Sequence, residues 1–249
     1  MSFNWKQILI VVCNIIVGIY LILAVTAFNN PDEAMTKECA EVKIDIEEET
    51  MEGFLNPGEV KRLLTQYKLY PLSQPMNRIS PRRIEETLQK SPFVEKAECY
   101  KSLNGHVCII IKQRIPVIRI MSDNGDNYYL DNFGNIMPEA GYATDILIAS
   151  GHINKKYAQN VLSKIANHII SDSFWRNQIV QLNVLTNGTL EMIPRVGDHI
   201  VYLGYPAHID NKLERLKKFY IYGLNKTGWN KYNYINVEFS NQIICKRNN

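Results

Sequence analysis

Apolar residues run almost without a break from Ile8 to Phe28, ILIVVCNIIVGIYLILAVTAF, with Asn14 and Thr26 as the polar interruptions. At 1.5 Å of rise per residue, such a run forms a helix of roughly 30 Å, the thickness of a bilayer's hydrocarbon core. The pattern predicts a stub at 1–7, a transmembrane helix at 8–28 and a polar linker at 29–38 that contains Pro31. A cleaved signal peptide is the rival reading, but its apolar core usually runs only about 7–15 residues. Lys6 precedes the span and Asp32 and Glu33 follow it, which places the N-terminus in the cytoplasm and the bulk of the chain outside.

Past the linker, apolar and polar positions alternate as they do in soluble domains. Glu41–Glu47 has period two, a strand with one wet face. Asn56-Pro57-Gly58-Glu59 carries a helix start, with Asn56 as N-cap and Val60, Leu63, Leu64 and Tyr67 as the apolar stripe. Ser80-Pro81 opens a second helix bearing Ile84 and Leu88, and Ser91-Pro92 closes it. Strands over Val94–Tyr100 and His106–Arg114 meet at the turn dipeptide Asn104-Gly105. The unbroken run Val107–Ile111 predicts a central strand buried on both faces. The β-α-α-β-β order fills 39–116 and implies two helices on one face of a small sheet.

From Pro116 the texture changes. Turns at Asp123-Asn124-Gly125 and Asn132-Phe133-Gly134-Asn135 separate short strands, and Ile146–Ser150 is another. Lys155–Ser171 has the apolar spacing of a helix, as does Ile209–Tyr222, where Asp210 is the expected cap. Between them lie strands over Ile179–Leu185, Leu190–Arg195 and His199–Leu203. The chain closes with strands over Tyr234–Phe239 and Gln242–Cys245, broken near Ser240-Asn241. The fold class expected is α+β, with a curved, mainly antiparallel β domain with helices at 117–249.

Charge narrows the function. Lys and Arg number 28 against 25 Asp and Glu, dispersed along the chain, so the basic face of a nucleic-acid binder is missing. Cys39, Cys99, Cys108 and Cys245 match no zinc or CxxC spacing. Cys99 and Cys108 flank the hairpin turn, which admits a cross-strand disulfide; the simpler reading is free thiols packed as small hydrophobes. The histidines at 106, 152, 168, 199 and 208 stand outside any metalloprotease or nucleophile-elbow context. Ser163 and His168 share a helix without an acid that spacing would enforce. Asp123, Asp126 and Asp131 lack the ligand periodicity of a calcium loop and read as turn caps. Asn187-Gly188-Thr189 and Asn225-Lys226-Thr227 match the glycosylation sequon, and the first is equally a turn. The aromatic segment Tyr220, Tyr222, Trp229, Tyr232, Tyr234 either packs the second domain or rims a contact surface. No catalytic residue, metal site, cofactor or small-molecule substrate is expected.

In order, these parts resemble the FtsQ/DivIB family of bacterial cell-division proteins, which are single-span proteins with a POTRA domain and a β domain. SPFVEKAECYKSLNGHVCIIIKQRIPVIRI (91–120) is similar to the POTRA hairpin and its basic residue-x-Pro exit at Arg114-Ile115-Pro116. YYLDNFGNIMP (128–138) resembles the strand-Asp-x-x-Gly-strand entry to the β domain. HIVYLGYPAHIDNKLERLKKFY (199–220) resembles the Leu-Gly turn before a Lys/Leu helix, and INVEFSNQIICKR (235–247) the terminal strand. The Tyr/Pro-rich link from Tyr67 to Asn77 departs from the family pattern. The resemblance implies a non-enzymatic scaffold of the divisome, anchored in the bacterial inner membrane, that positions partners for septal wall synthesis. It also implies that an edge at Ile235–Ile244 accepts an extended segment of FtsB/FtsL-like single-span proteins, with Glu238, Phe239, Asn241 and Ile243 as contacts. A membrane-anchored envelope enzyme with an unrecognised site is the alternative. An outer-membrane transporter would need a β-barrel that the last 130 or so residues, with their two helices, do not supply.

Overall fold

The computed structural model describes residues 5–28, 37–47, 55–139 and 146–248. Helix α1 (Trp5–Phe28) is the one helix among them long and apolar enough to cross a membrane, with mean hydropathy 2.7 over Leu9–Thr26 and none of that window buried. It starts ahead of the apolar run. Thr26 costs little in such a helix because its hydroxyl donates back to the carbonyls of Ile22 and Leu23. Of the linker expected at 29–38, only Lys37 and Glu38 lie within the described residues.

The chain divides into two compact units, a first that includes α1 and ends at Lys112 and a second that runs from Gln113 onward together with Pro92–Glu95. The first unit holds β1 (Glu41–Glu47), α2 (Pro57–Gln66), α3 (Pro81–Leu88), β2 (Val94–Lys101) and β3 (His106–Gln113). Asn56 caps α2 as expected: its side chain accepts from the Glu59 amide at 3.0 Å and Glu59 reaches back to the Asn56 amide at 3.3 Å, a capping box. Ser80 occupies the cap position of α3 but makes no side-chain bond there; its ψ of 103° falls short of the 160° that aims Asn56 at its helix. The link after α2 is pinned by main-chain bonds to the segment before β1. The Cys39 amide donates to Gln74, and the Ser73 and Met76 amides donate to Cys39 and Lys37.

The sheet order is β1-β3-β2, with β1 parallel to β3. The central place of β3 agrees with its sequence, but its double burial does not. Val107, Ile109 and Ile111 are fully buried while His106, Cys108, Ile110 and Lys112 are half-buried, because two helices cover only one side of three strands. This alternation also separates the two cysteines. Cys99 is buried on β2 with Ala97, whereas Cys108 sits on the opposite face from Val107 and Ile109. Both thiols are free, and a bridge would need the backbone to move. Burial pushes the Cys99 thiol up to about 12, with the Glu85 carboxylate adding to it, so Cys99 is inert at neutral pH.

The second unit is a nine-stranded sheet in the order β12-β11-β10-β9-β8-β7-β4-β5-β6. Its strands are β4 (Pro116–Ser122), β5 (Asn127–Asp131), β6 (Ile136–Pro138), β7 (Leu147–Gly151), β8 (Ile179–Val184), β9 (Leu190–Pro194), β10 (Ile200–Gly204), β11 (Tyr232–Asn236) and β12 (Ile244–Arg247). The pairs β4–β7, β7–β8 and β10–β11 are parallel and the other five antiparallel. Parallel neighbours require crossovers. α4 provides one, running Lys155–Tyr157, through a π-type stretch Ala158–Leu162, to Ser163–Ser171, and α5 (Ser173–Gln178) follows it. α6 provides another as Ile209–Phe219, a π-type stretch Tyr220–Leu224 and a last turn Asn225–Thr227. Leu162, Ala166, Leu213, Leu216 and Leu224 on these helices pack with Ile118, Ala149, Leu182, Met192 and Val201 in one core.

Asp131 is the turn cap its position suggested. Its carboxylate accepts from the Phe133 and Asn135 amides and from Asn135 Nδ2, and Arg114 Nη1 donates to it at 2.6 Å. Gly134 completes that turn at φ +81, where a Cβ would lie 2.8 Å from the Gln159 carbonyl oxygen.

Candidate functional site

Two strands bound the large sheet. β6 is three residues long and ends on Pro138, which has no amide to donate. β12 pairs antiparallel with β11 on one side and, among the described residues, with nothing on the other. A row of main-chain donors and acceptors is therefore left open along Ile244–Arg247.

The expected edge at Ile235–Ile244 is thereby corrected. Ile235 lies in β11, inside the sheet between β10 and β12, and Ile235 and Val237 are fully buried. The chain leaves the sheet after the Val237 amide donates to the Tyr202 carbonyl, turns through Ser240-Asn241, and returns as β12 along its own outer side. The break near Ser240-Asn241 stands where the sequence put it. Glu238, Phe239, Asn241 and Ile243 are thus brought together in one connection, not in a ladder.

Each has a distinct setting. Glu238 folds back: a Cβ on Gly204 would lie 2.6 Å from its Oε1, so the glycine leaves room for that side chain. Phe239 is 46% exposed, Asn241 is exposed, and Ile243 is half-buried against the core. The connection is held from beneath by α6. Arg215 Nη2 donates to the carbonyls of Val237 and Phe239, both at 2.7 Å. Lys212, buried, donates to the carbonyls of Leu203 and Tyr205. Burial pulls the Lys212 ammonium below the usual lysine range; Glu238 opposes this and Arg215 adds to it. Both cations, with His208, Asn211, Glu238 and Ser240, line a pocket of about 290 Å³ under the turn. The helix is capped by His208 at φ +53 without a side-chain bond, so Asp210 lies in the first turn and is not the cap. There it meets His168, whose Nδ1 is 3.0 Å from its Oδ1.

The aromatic segment splits between core and surface. Tyr220 is buried, with Trp229 at 5.0 Å between ring centroids, while Tyr222 is 68% exposed. The Tyr220 hydroxyl pairs with Nε2 of buried His199 at 2.7 Å, and Nδ1 of that histidine is buried without a partner. Burial holds the His199 pKa below its ordinary value of 6.5, with Asp198 partly opposing it. The folded state therefore favours neutral imidazole, and the unfolded chain binds the extra proton as pH drops. Stability from this site is present above about 6.5 and is lost as pH falls towards the depressed value. Thermal unfolding at pH 7.5 and 5.5 should show a smaller acid-induced drop in Tm for His199→Gln than for the unmodified protein. Equal drops would clear His199 as the source.

Ser163 and His168 do not form a nucleophile and base. The Ser163 hydroxyl donates to the Gln159 carbonyl at 2.5 Å, and His168 faces Asp210. Among the described residues no three metal-ligating side chains gather, and Asp123 pairs with His152 at 3.2 Å. Asn187 spends its side-chain oxygen on the Thr189 amide and hydroxyl, as a turn residue does.

Residues 115–246 match the family described as FtsQ/DivIB, C-terminal related, over more than half of the chain. The chain belongs to the FtsQ/DivIB family. Residues 37–112 match a POTRA-like domain, which is the first unit with its β-α-α-β-β order. No curated protein matches the chain. Membership makes this a protein of a cell-division family that is generally non-enzymatic, and α1 is compatible with a single-pass membrane anchor. Sequence reasoning missed Arg215 and Lys212, because nothing in a Lys/Leu-rich helix marks which cations turn inward onto carbonyls.

Proposed function

We propose that this FtsQ/DivIB-family chain is a non-enzymatic scaffold of the division machinery. α1 anchors it in the bacterial cytoplasmic membrane with the N-terminus inside, and the two folded units lie outside. There it recruits other single-span division proteins of the FtsB/FtsL-like kind and positions them for septal wall synthesis. The partner adds an extended segment to β12, the open edge, and packs against Phe239 in the connection before it. The observation that carries this is the outer side of β12, which pairs with nothing among the described residues, with exposed Ile244 on the strand and exposed Phe239 in the connection before it. Asn241 is exposed in the turn before β12, Ile243 fixes the connection to the core, and Glu238 lies over Gly204.

Full-length protein in nanodiscs, with the extracytoplasmic segments of the organism's FtsB-like and FtsL-like proteins as probes, tests this. Phe239→Ala and Ile244→Ala should each weaken binding about tenfold or more while circular dichroism stays unchanged. Proline at Asn241 should do little, because that residue lies outside the ladder. Folded Phe239→Ala and Ile244→Ala variants that bind at wild-type affinity would overturn the proposal.

A further inference from the structure

β12 is chemically polarised along its length. Ile244 is 47% exposed at the end next to the Phe239 connection, and Lys246 and Arg247 are exposed at the other end. A third cation stands beside them. Arg247 lies opposite Tyr232 in the β11 register, and the neighbouring Lys231 accepts the Asn248 amide at its carbonyl while its ammonium lies over the Tyr232 ring. Among the described residues none of these three cations has an ion-pair partner.

A strand added to β12 puts its side chains about 5 Å from those of β12, where opposite charges attract and like charges repel. Pairing with the β12 of a second copy, in any register, doubles the cationic charge on this short ladder without an acid to offset it. Cations on an edge strand guard it against self-pairing. They also set what the edge accepts. Successive residues point to opposite faces, so Lys246 shares the face of Ile244, and Arg247 shares that of Cys245.

Resting on the edge-strand reading above, we propose that the β12 occupant is an acidic extended segment. It places an apolar side chain against Ile244 and two consecutive acidic side chains against Lys246 and Arg247. These two residues select the partner.

The test uses the full-length protein in nanodiscs of neutral lipid, with the same FtsB-like and FtsL-like segments as probes. Affinity of the unmodified protein should fall about tenfold between 50 and 500 mM salt, a readout that needs no variant. The double variant Lys246→Gln/Arg247→Gln should bind about tenfold more weakly at low salt and lose most of that salt dependence. Lys246→Glu/Arg247→Glu should bind more weakly still, and Lys90→Glu, on the first unit, should be neutral. If the doubly neutral variant keeps wild-type affinity and salt dependence while Phe239→Ala abolishes binding, the charge inference is wrong and the edge reading survives. If neither the charges nor Phe239 matter, or no segment binds, the edge reading falls and the inference falls with it.

Discussion

Replacing Arg114 with alanine should destabilise the second unit by about 3–5 kcal/mol, among the largest single-residue effects in the molecule. The side chain of Asp131 is 1% exposed, and Arg114 is the cation that pairs with it. Arg114 also donates through Nε to the Val94 carbonyl at 3.1 Å. Alanine leaves a carboxylate buried with three hydrogen bonds and no counter-charge, in the turn that joins β5 to β6. Arg114→Lys keeps the charge but loses the planar fork, so it should recover only part of the loss. Urea unfolding followed by the fluorescence of Trp175 and Trp229, both in the second unit, measures this. A loss below about 1 kcal/mol would show that the pair is solvated and weak.

A second large loss is expected at Trp175. It is 1% exposed, edge-on to Phe174 at 4.9 Å and tilted against Tyr220 at 5.9 Å. Trp175→Ala should cost about 3–5 kcal/mol, from the lost apolar burial and the cavity that remains. Trp175→Phe, which leaves a smaller void, should cost clearly less. Calorimetric unfolding of the two variants separates these outcomes, and equal Tm values for alanine and phenylalanine would mean the site collapses around the gap.

The Trp175 site also marks where sequence reasoning stops. α5 is six residues long, too short for a helical period to register, although Asp172 accepts from the Phe174 amide as an N-cap does. Longer elements were legible because several signals agreed. Asn56, Pro57 and Glu59 together name a helix start, and the apolar spacing of 155–171 names α4 despite its π-type stretch. α6 ends later than its apolar spacing predicts: the helix passes Tyr222 and continues to Thr227 through a second π-type stretch, which shifts the apolar period. At the candidate site, residue alternation located two strands and the break between them. Which strand lies outermost depends on the pairing of β11 with distant β10, and no local pattern encodes that. The clamp by Arg215 is hidden for the same reason, since its acceptors lie 22 and 24 residues away.

If a division partner adds its strand to β12, as proposed, hydrogen–deuterium exchange will register it at that strand. Full-length protein in nanodiscs is exchanged alone and with saturating FtsB-like and FtsL-like segments. Strand addition predicts slower exchange across Ile244–Arg247 on binding, with little change in β6 at the opposite edge. A partner that binds while exchange at Ile244–Arg247 stays unaltered, with protection appearing elsewhere, would contradict it.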